Sequence, residues 1–136
     1  MLGNPPDPGL DPLIRIDLPE DVREHLIRDY GTWSRQIAAI LEVHPEWNAR
    51  ISEGLPYILA EVYFAVTREK ARTLEDILCR RTRIALLAPD RGRPSLNAVC
   101  QVAALGLDWD QAAVEQQIAA YEDALARQLP GPGEIR

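Results

Sequence analysis

The 136 residues of this chain suit one domain with one core, and 46% hydrophobic and 26% charged side chains are the balance of an ordinary globular protein. A formal charge of −6 argues against non-specific attraction to nucleic acid or anionic lipid, and no apolar run approaches the roughly 20 residues of a membrane span. Two cysteines, Cys79 and Cys100, make no disulfide framework, and glycines at 3, 9, 31, 54, 92, 106, 131 and 133 are too scattered for a dinucleotide fingerprint or a phosphate loop.

The opening MLGNPPDPGL has neither the basic start nor the apolar stretch of a secretory leader. Together with the cysteine usage, this gives the expectation of a cytoplasmic protein. Residues 1–17 read as an extended lead-in, because Pro5, Pro6, Pro8 and Pro12 oppose a helix there, while Leu13, Ile14 and Ile16 could dock on a surface. Asp17 and Glu20 have the spacing of a cap. They predict a first helix carrying Val22, Leu26 and Tyr30 and stopping at Gly31. A second helix is expected from Thr32 with Trp33, Ile37, Ile40 and Leu41 on its apolar stripe, then a short turn at Pro45 carrying Trp47 and Ile51. Around Pro56 a third helix is expected, with Ile58, Val62, Ala65 and Val66 on one face. Thr73 and Asp76 match a capping box for a fourth, which presents Leu74, Ile77 and Leu78 inward and runs into Arg80, Arg81 and Arg83.

Beyond the loop DRGRP at 90–94, Ser95 is expected to open a fifth helix with Leu96, Val99, Cys100 and Ala103 inside and Gly106 just past its end. Asp108 and Gln111 are expected to cap a last helix whose stripe is Val114, Ile118, Tyr121 and Leu125. No run of alternating β-branched residues interrupts this pattern. The predicted class is all-α: one bundle of five to six short helices over residues 18–128, with 129–136 as a flexible tail.

No residue pattern marks a catalytic or metal centre. His25 and His44 lie outside any ligand spacing and read as surface histidines. Cys79 and Cys100 read as small core residues, Cys79 being the more reactive if Arg80 and Arg81 stabilise its thiolate. The paired carboxylates Glu75–Asp76, Asp108–Asp110 and Glu122–Asp123 point in different directions on a helix, which suits caps and ion pairs such as Asp76–Arg80 better than acid–base work. Charge, however, is segregated. Residues 67–93 hold 8 basic and 4 acidic side chains, against 5 and 11 in 1–66 and 2 and 6 in 94–136. Within TREKARTLEDILCRRTR, Arg68, Arg72, Arg80, Arg81, Thr82 and Arg83 are candidates for a domain-docking surface. A solvated face laced with local ion pairs and an anion site are the other two readings of the same block.

The stretch GLPYILAEVYFAVTREKARTLEDILCRRTRIALL at 54–87 resembles the C-terminal helical domain of FAD-dependent glycerol-3-phosphate dehydrogenases and the related alpha-glycerophosphate oxidases. The likeness rests on Glu61 and Val62, Ala65 and Val66, Glu69, Ala71 to Asp76, Leu78, and Arg80 to Arg83. HLIRDYGTWSRQIAAIL at 25–41 and LGLDWDQAAVEQQIAAY at 105–121 resemble the family's flanking motifs, so the likeness runs from about residue 18 to 127.

The resemblance implies a division of labour. FAD and substrate would sit in an N-terminal FAD domain, the partner of this one, and the complete enzyme would oxidise sn-glycerol 3-phosphate to dihydroxyacetone phosphate and pass electrons to quinone, or to oxygen in the oxidases. This chain would hold no cofactor, be inactive alone and serve as an accessory domain, with residues 1–17 as the connection. The parent enzyme would be cytoplasmic, or peripheral on the inner face of the membrane without inserting in it. An arginine contributed to the substrate phosphate, an independent helical interaction module and a homo-oligomer stay open as alternatives.

Overall fold

A computed structural model describes residues 12–128; the prolines at 5, 6 and 8 and the tail PGPGEIR lie outside the described residues. A 3-10 turn, Pro12–Arg15, comes first, and its Leu13 is fully buried. Arg23 clamps this turn by donating from Nε to the Leu13 carbonyl (3.3 Å) and from Nη2 to that of Ile16 (3.0 Å).

Helix α1 spans Glu20–Tyr30. Asp17 does not cap it: Pro19 occupies the N-cap position without a side-chain bond, and the acidic first turn of Glu20 and Asp21 supplies the favourable charge instead. Gly31 ends it as expected, at φ 55°, where a residue without Cβ meets no penalty. The chain then makes a 3-10 turn, Gly31–Trp33, before α2, Ser34–Val43, buries Ser34, Ile37, Ala38 and Leu41. Starting at Ser34 rather than Thr32 leaves Trp33 outside the helical stripe, and Trp33 is 55% exposed instead of buried.

The turn Pro45–Asn48 buries Trp47, and a single antiparallel bridge between Arg50 and Ile58 carries the chain into α3, Leu59–Arg68. This helix starts three residues beyond Pro56. Ala60, Glu61, Val62, Phe64, Ala65 and Val66 are all buried, since both α2 and the later helix Leu96–Leu107 pack against it. The expected fourth helix begins at Leu74 and opens at Asp76–Arg81 into a π-helical turn. There the Thr82 N–H reaches back five residues to the Ile77 carbonyl at 2.9 Å. The proposed capping box forms: the Thr73 hydroxyl accepts the Asp76 N–H at 3.0 Å, and the Asp76 carboxylate is held by the backbone N–H groups of Arg72, at 3.0 Å, and of Thr73.

A one-turn helix α4, Ile84–Leu87, leads to a 3-10 turn at Arg93–Ser95 and to α5, Leu96–Leu107. Gly106 lies inside α5 rather than beyond it. Asp108 takes the left-handed C-cap position instead, at φ 57°. A Cβ on Gly106 would stand 2.6 Å from Val66 Cγ2, so this glycine permits the close approach of α5 to α3. Finally α6, Gln111–Gln128, is capped by Asp110, which accepts the Ala113 N–H at 2.8 Å, in place of the expected Asp108. Tyr121 and Leu125 of its stripe are buried, with Val114 and Ile118 partly so. Among the described residues there is no strand: the fold is an all-α bundle of short helices around one core.

Candidate functional site

Glu61, at the third position of α3, turns its carboxylate back to accept the Ile58 N–H at 2.8 Å, a local capping role that a glutamate at this position performs in many helices. Burial changes its significance, because Glu61 is only 1% exposed. Its other oxygen accepts from His25 Nε2 and from the Tyr30 hydroxyl, both at 2.8 Å. Across the ring, His25 Nδ1 stands 3.0 Å from Asp29 Oδ2, one helical turn on. Both ring nitrogens thus face carboxylates, the arrangement that favours the doubly protonated imidazolium.

His25 is therefore no surface histidine. It is 3% exposed and meets Tyr57 edge-on at 4.8 Å between ring centres. Burial by itself would lower its pKa, but the hydrogen bond and charge of Glu61, with the charge of Asp29, outweigh that and raise it. The Tyr30 hydroxyl is pushed up strongly by burial and by Glu61, so it stays protonated and donating. His44 sits elsewhere, stacked on Trp47 at 3.8 Å with Glu46 alongside.

Above this buried network opens a cavity of about 380 Å³. His25 and Asp29 lie at its base, and Tyr30, Trp33 and Phe64 form an aromatic wall in which Phe64 meets both neighbours edge-on. The same cavity is lined by Arg68 from α3, by Arg80 and Arg81 from the π-helical turn, and by Glu69. Arg68 donates to Gln36 at 3.1 Å, Arg80 to Asp76 at 2.9 Å in the expected i, i+4 pair, and Arg81 to the Glu69 carbonyl at 3.2 Å. Burial raises the pKa of the Glu69 carboxyl, against the pull of Arg81.

Three of the six candidate docking residues thus meet at one place. Arg72 and Arg83 are exposed but do not line the cavity. Thr82 drops out: it is 1% exposed, and its hydroxyl donates to the Ile77 carbonyl at 2.9 Å, closing the π-helical turn from inside. Cys79 is also not the activated thiol that two arginine neighbours suggested. Burial, then Glu75, pushes it up, and Arg80 only partly offsets them. Cys100, in the core, is pushed up to about 11 by burial. Among the described residues no group of histidine, cysteine and carboxylate side chains could hold a metal ion.

Residues 12–114, which include every residue of this site, match the model of the C-terminal domain of alpha-glycerophosphate oxidase. The chain belongs to that family. It is 36% identical over 110 residues to a probable mitochondrial glycerol-3-phosphate dehydrogenase of Dictyostelium discoideum, covering 81% of this chain and 17% of that protein. It is 39% identical over 100 residues to a glycerol-3-phosphate dehydrogenase of Synechocystis sp., covering 74% and 18%. With the enzyme of that name from Mycobacterium leprae the identity is 34% over 97 residues, covering 71% and 17%. The chain therefore spans less than a fifth of the length of the curated relatives it matches. No solved structure matches it. In this member of the family, the histidine, tyrosine and glutamate of the motifs quoted above, His25, Tyr30 and Glu61, are the three partners of one buried network.

Proposed function

We propose that this chain is the non-catalytic C-terminal accessory domain of an FAD-dependent glycerol-3-phosphate dehydrogenase. In this reading the complete enzyme oxidises sn-glycerol 3-phosphate to dihydroxyacetone phosphate and passes the electrons to quinone. The helical domain of residues 18–128 follows an FAD domain through the connection formed by residues 1–17. The observation that carries the reading is the family match over 12–114 combined with coverage of under a fifth of dehydrogenases that align with it.

The described residues hold no glycine-rich turn between strand and helix of the kind that cradles FAD. A dinucleotide pyrophosphate rests on a glycine-rich turn between a strand and a helix, and the described residues form no strand. The flavin belongs, in this reading, to the preceding domain. No helix of the described residues is long and apolar enough to cross a membrane. In this reading the parent enzyme is cytoplasmic or peripheral on the inner face of the membrane.

In this reading the chain docks on the flavin domain through Arg68, Arg80 and Arg81, with the exposed Arg72 and Arg83 beside them. The test is reconstitution: a flavin-loaded N-terminal domain is titrated with this chain while glycerol-3-phosphate-dependent dye reduction is followed. Saturable recovery of activity is expected. A flavin domain whose turnover ignores the added chain would count against the accessory role. Replacing Arg80 and Arg81 together by alanine should weaken association without unfolding the helices, and unchanged association would remove these two from the docking surface.

A further inference from the structure

Two arginines outside the cavity show what a satisfied guanidinium looks like in this fold. Arg50 grips both oxygens of Asp21 at 2.8 and 2.9 Å, and Arg93 grips both oxygens of Glu122 at 2.8 and 2.9 Å. The three arginines of the cavity rim differ. Arg68 meets an uncharged amide and Arg81 a carbonyl, with the nearest carboxylate oxygen at 3.9 Å. Arg80 donates to one oxygen of Asp76 and stands 3.8 Å from Glu75. A guanidinium offers five N–H donors in a fixed fork suited to a bidentate carboxylate. None of these three forks is filled that way among the described residues.

Lining the same cavity is Trp33, 55% exposed. A large exposed indole beside arginines is the composition on which binding hot spots are built. Charge points the same way: the cavity sets Arg68, Arg80 and Arg81 against Asp29 and Glu69, a lining of net +1 before His25 is counted, in a chain of net −6. The cavity, at about 380 Å³, has room for side chains presented by another surface.

We propose that this cavity receives an acidic side chain of the flavin domain, its carboxylate among Arg68, Arg80 and Arg81, with an apolar neighbour of that side chain lying on Trp33. The proposal rests on the accessory-domain reading and selects the face that docks. It does not call on Arg72 and Arg83, which lie outside the cavity.

The experiment is calorimetric titration of the flavin domain, produced as a separate chain and shown by its flavin absorbance to be loaded, with this chain and three variants. Trp33→Ala and Arg81→Gln alter the cavity, and Arg93→Gln alters a filled fork outside it; far-UV circular dichroism and melting confirm that each folds. Trp33→Ala and Arg81→Gln are each expected to raise Kd about tenfold or more, with Arg93→Gln within about twofold of the parent. If the unaltered chain binds and both cavity variants bind equally well, the cavity is not the docking place, although the accessory reading stands. If the unaltered chain does not bind, the accessory reading falls and the proposal with it. Sedimentation of the chain alone adds a last outcome: a dimer dispersed by Trp33→Ala would seat a second copy in the cavity and overturn the proposal.

Discussion

His25 is the residue whose chemistry depends most on its surroundings. An imidazolium between Glu61 and Asp29 is stabilising only while all three groups keep their charges. Removing His25 leaves Glu61 buried with only the Ile58 N–H and the Tyr30 hydroxyl as donors. His25→Ala is therefore expected to cost about 3 kcal/mol in urea unfolding followed by tryptophan fluorescence. The pH dependence has a definite sign. With its folded pKa raised above 6.5, His25 contributes its full stabilisation below 6.5 and loses it as the pH climbs through the folded value. The groups facing the ring are Glu61, Asp29, Tyr30 and Tyr57, while the like positive charge of Arg28 nearby acts to lower its pKa. Burial keeps both tyrosines from ionising early, since their hydroxyls are pushed up. The urea midpoint of the parent should thus fall between pH 6 and pH 9. A His25→Gln variant that fell by the same amount would disprove the imidazolium.

At the level of elements, the contact between α3 and α5 depends on Gly106. Alanine there gains up to about 1 kcal/mol of helix propensity. Its methyl group would nevertheless stand 2.6 Å from Val66 Cγ2, and overpacking of this kind costs about 1–3 kcal/mol. Gly106→Ala should therefore destabilise by about 1 kcal/mol, and in a Val66→Ala background, itself destabilised by the lost methyl groups, most of that extra cost should vanish. A double-mutant cycle with no coupling would show that the two helices are not held at this distance. The start of α6 gives a simpler check. Asp110→Ala removes the side-chain acceptor for Ala113 N–H and should cost about 1 kcal/mol, measured in the same unfolding assay. Both positions were misassigned from sequence for one reason: a glycine or an aspartate near a helix end suits more than one cap position. Choosing among Asp108, Asp110 and Gly106 requires knowing where α5 meets α3.

On the scale of the whole molecule, charge segregation should govern association. Arg80 and Arg81 are 65% and 44% exposed, so their pull on a partner is screened by salt. In the reconstituted complex the association rate should drop several-fold between low salt and about 1 M, where the screening length is ~3 Å. Stopped-flow mixing reads this directly, and a salt-independent rate would point to an apolar docking face instead.

The all-α architecture and most helical stripes were legible in the sequence because helical periodicity and many stop signals act within a few residues. Val22 with Leu26, Ile37 with Leu41, and Leu74 with Ile77 and Leu78 are buried as their spacing requires. The family was legible too, through motifs read in order along the chain. The site was not. His25 and Glu61 lie 36 positions apart, and Arg68 reaches the rim shared with Arg80 and Arg81 only because α3 and the π-helical turn pack side by side. Spacing within one helix carries no information about such a meeting. The sequence by itself determined which local segments are helical and to which family they belong. Only the tertiary structure decided that a histidine is buried between two carboxylates, that Thr82 faces inward, and that three arginines share one cavity with an exposed tryptophan. Burial and convergence are properties of packed surfaces, and they come into being when the elements meet.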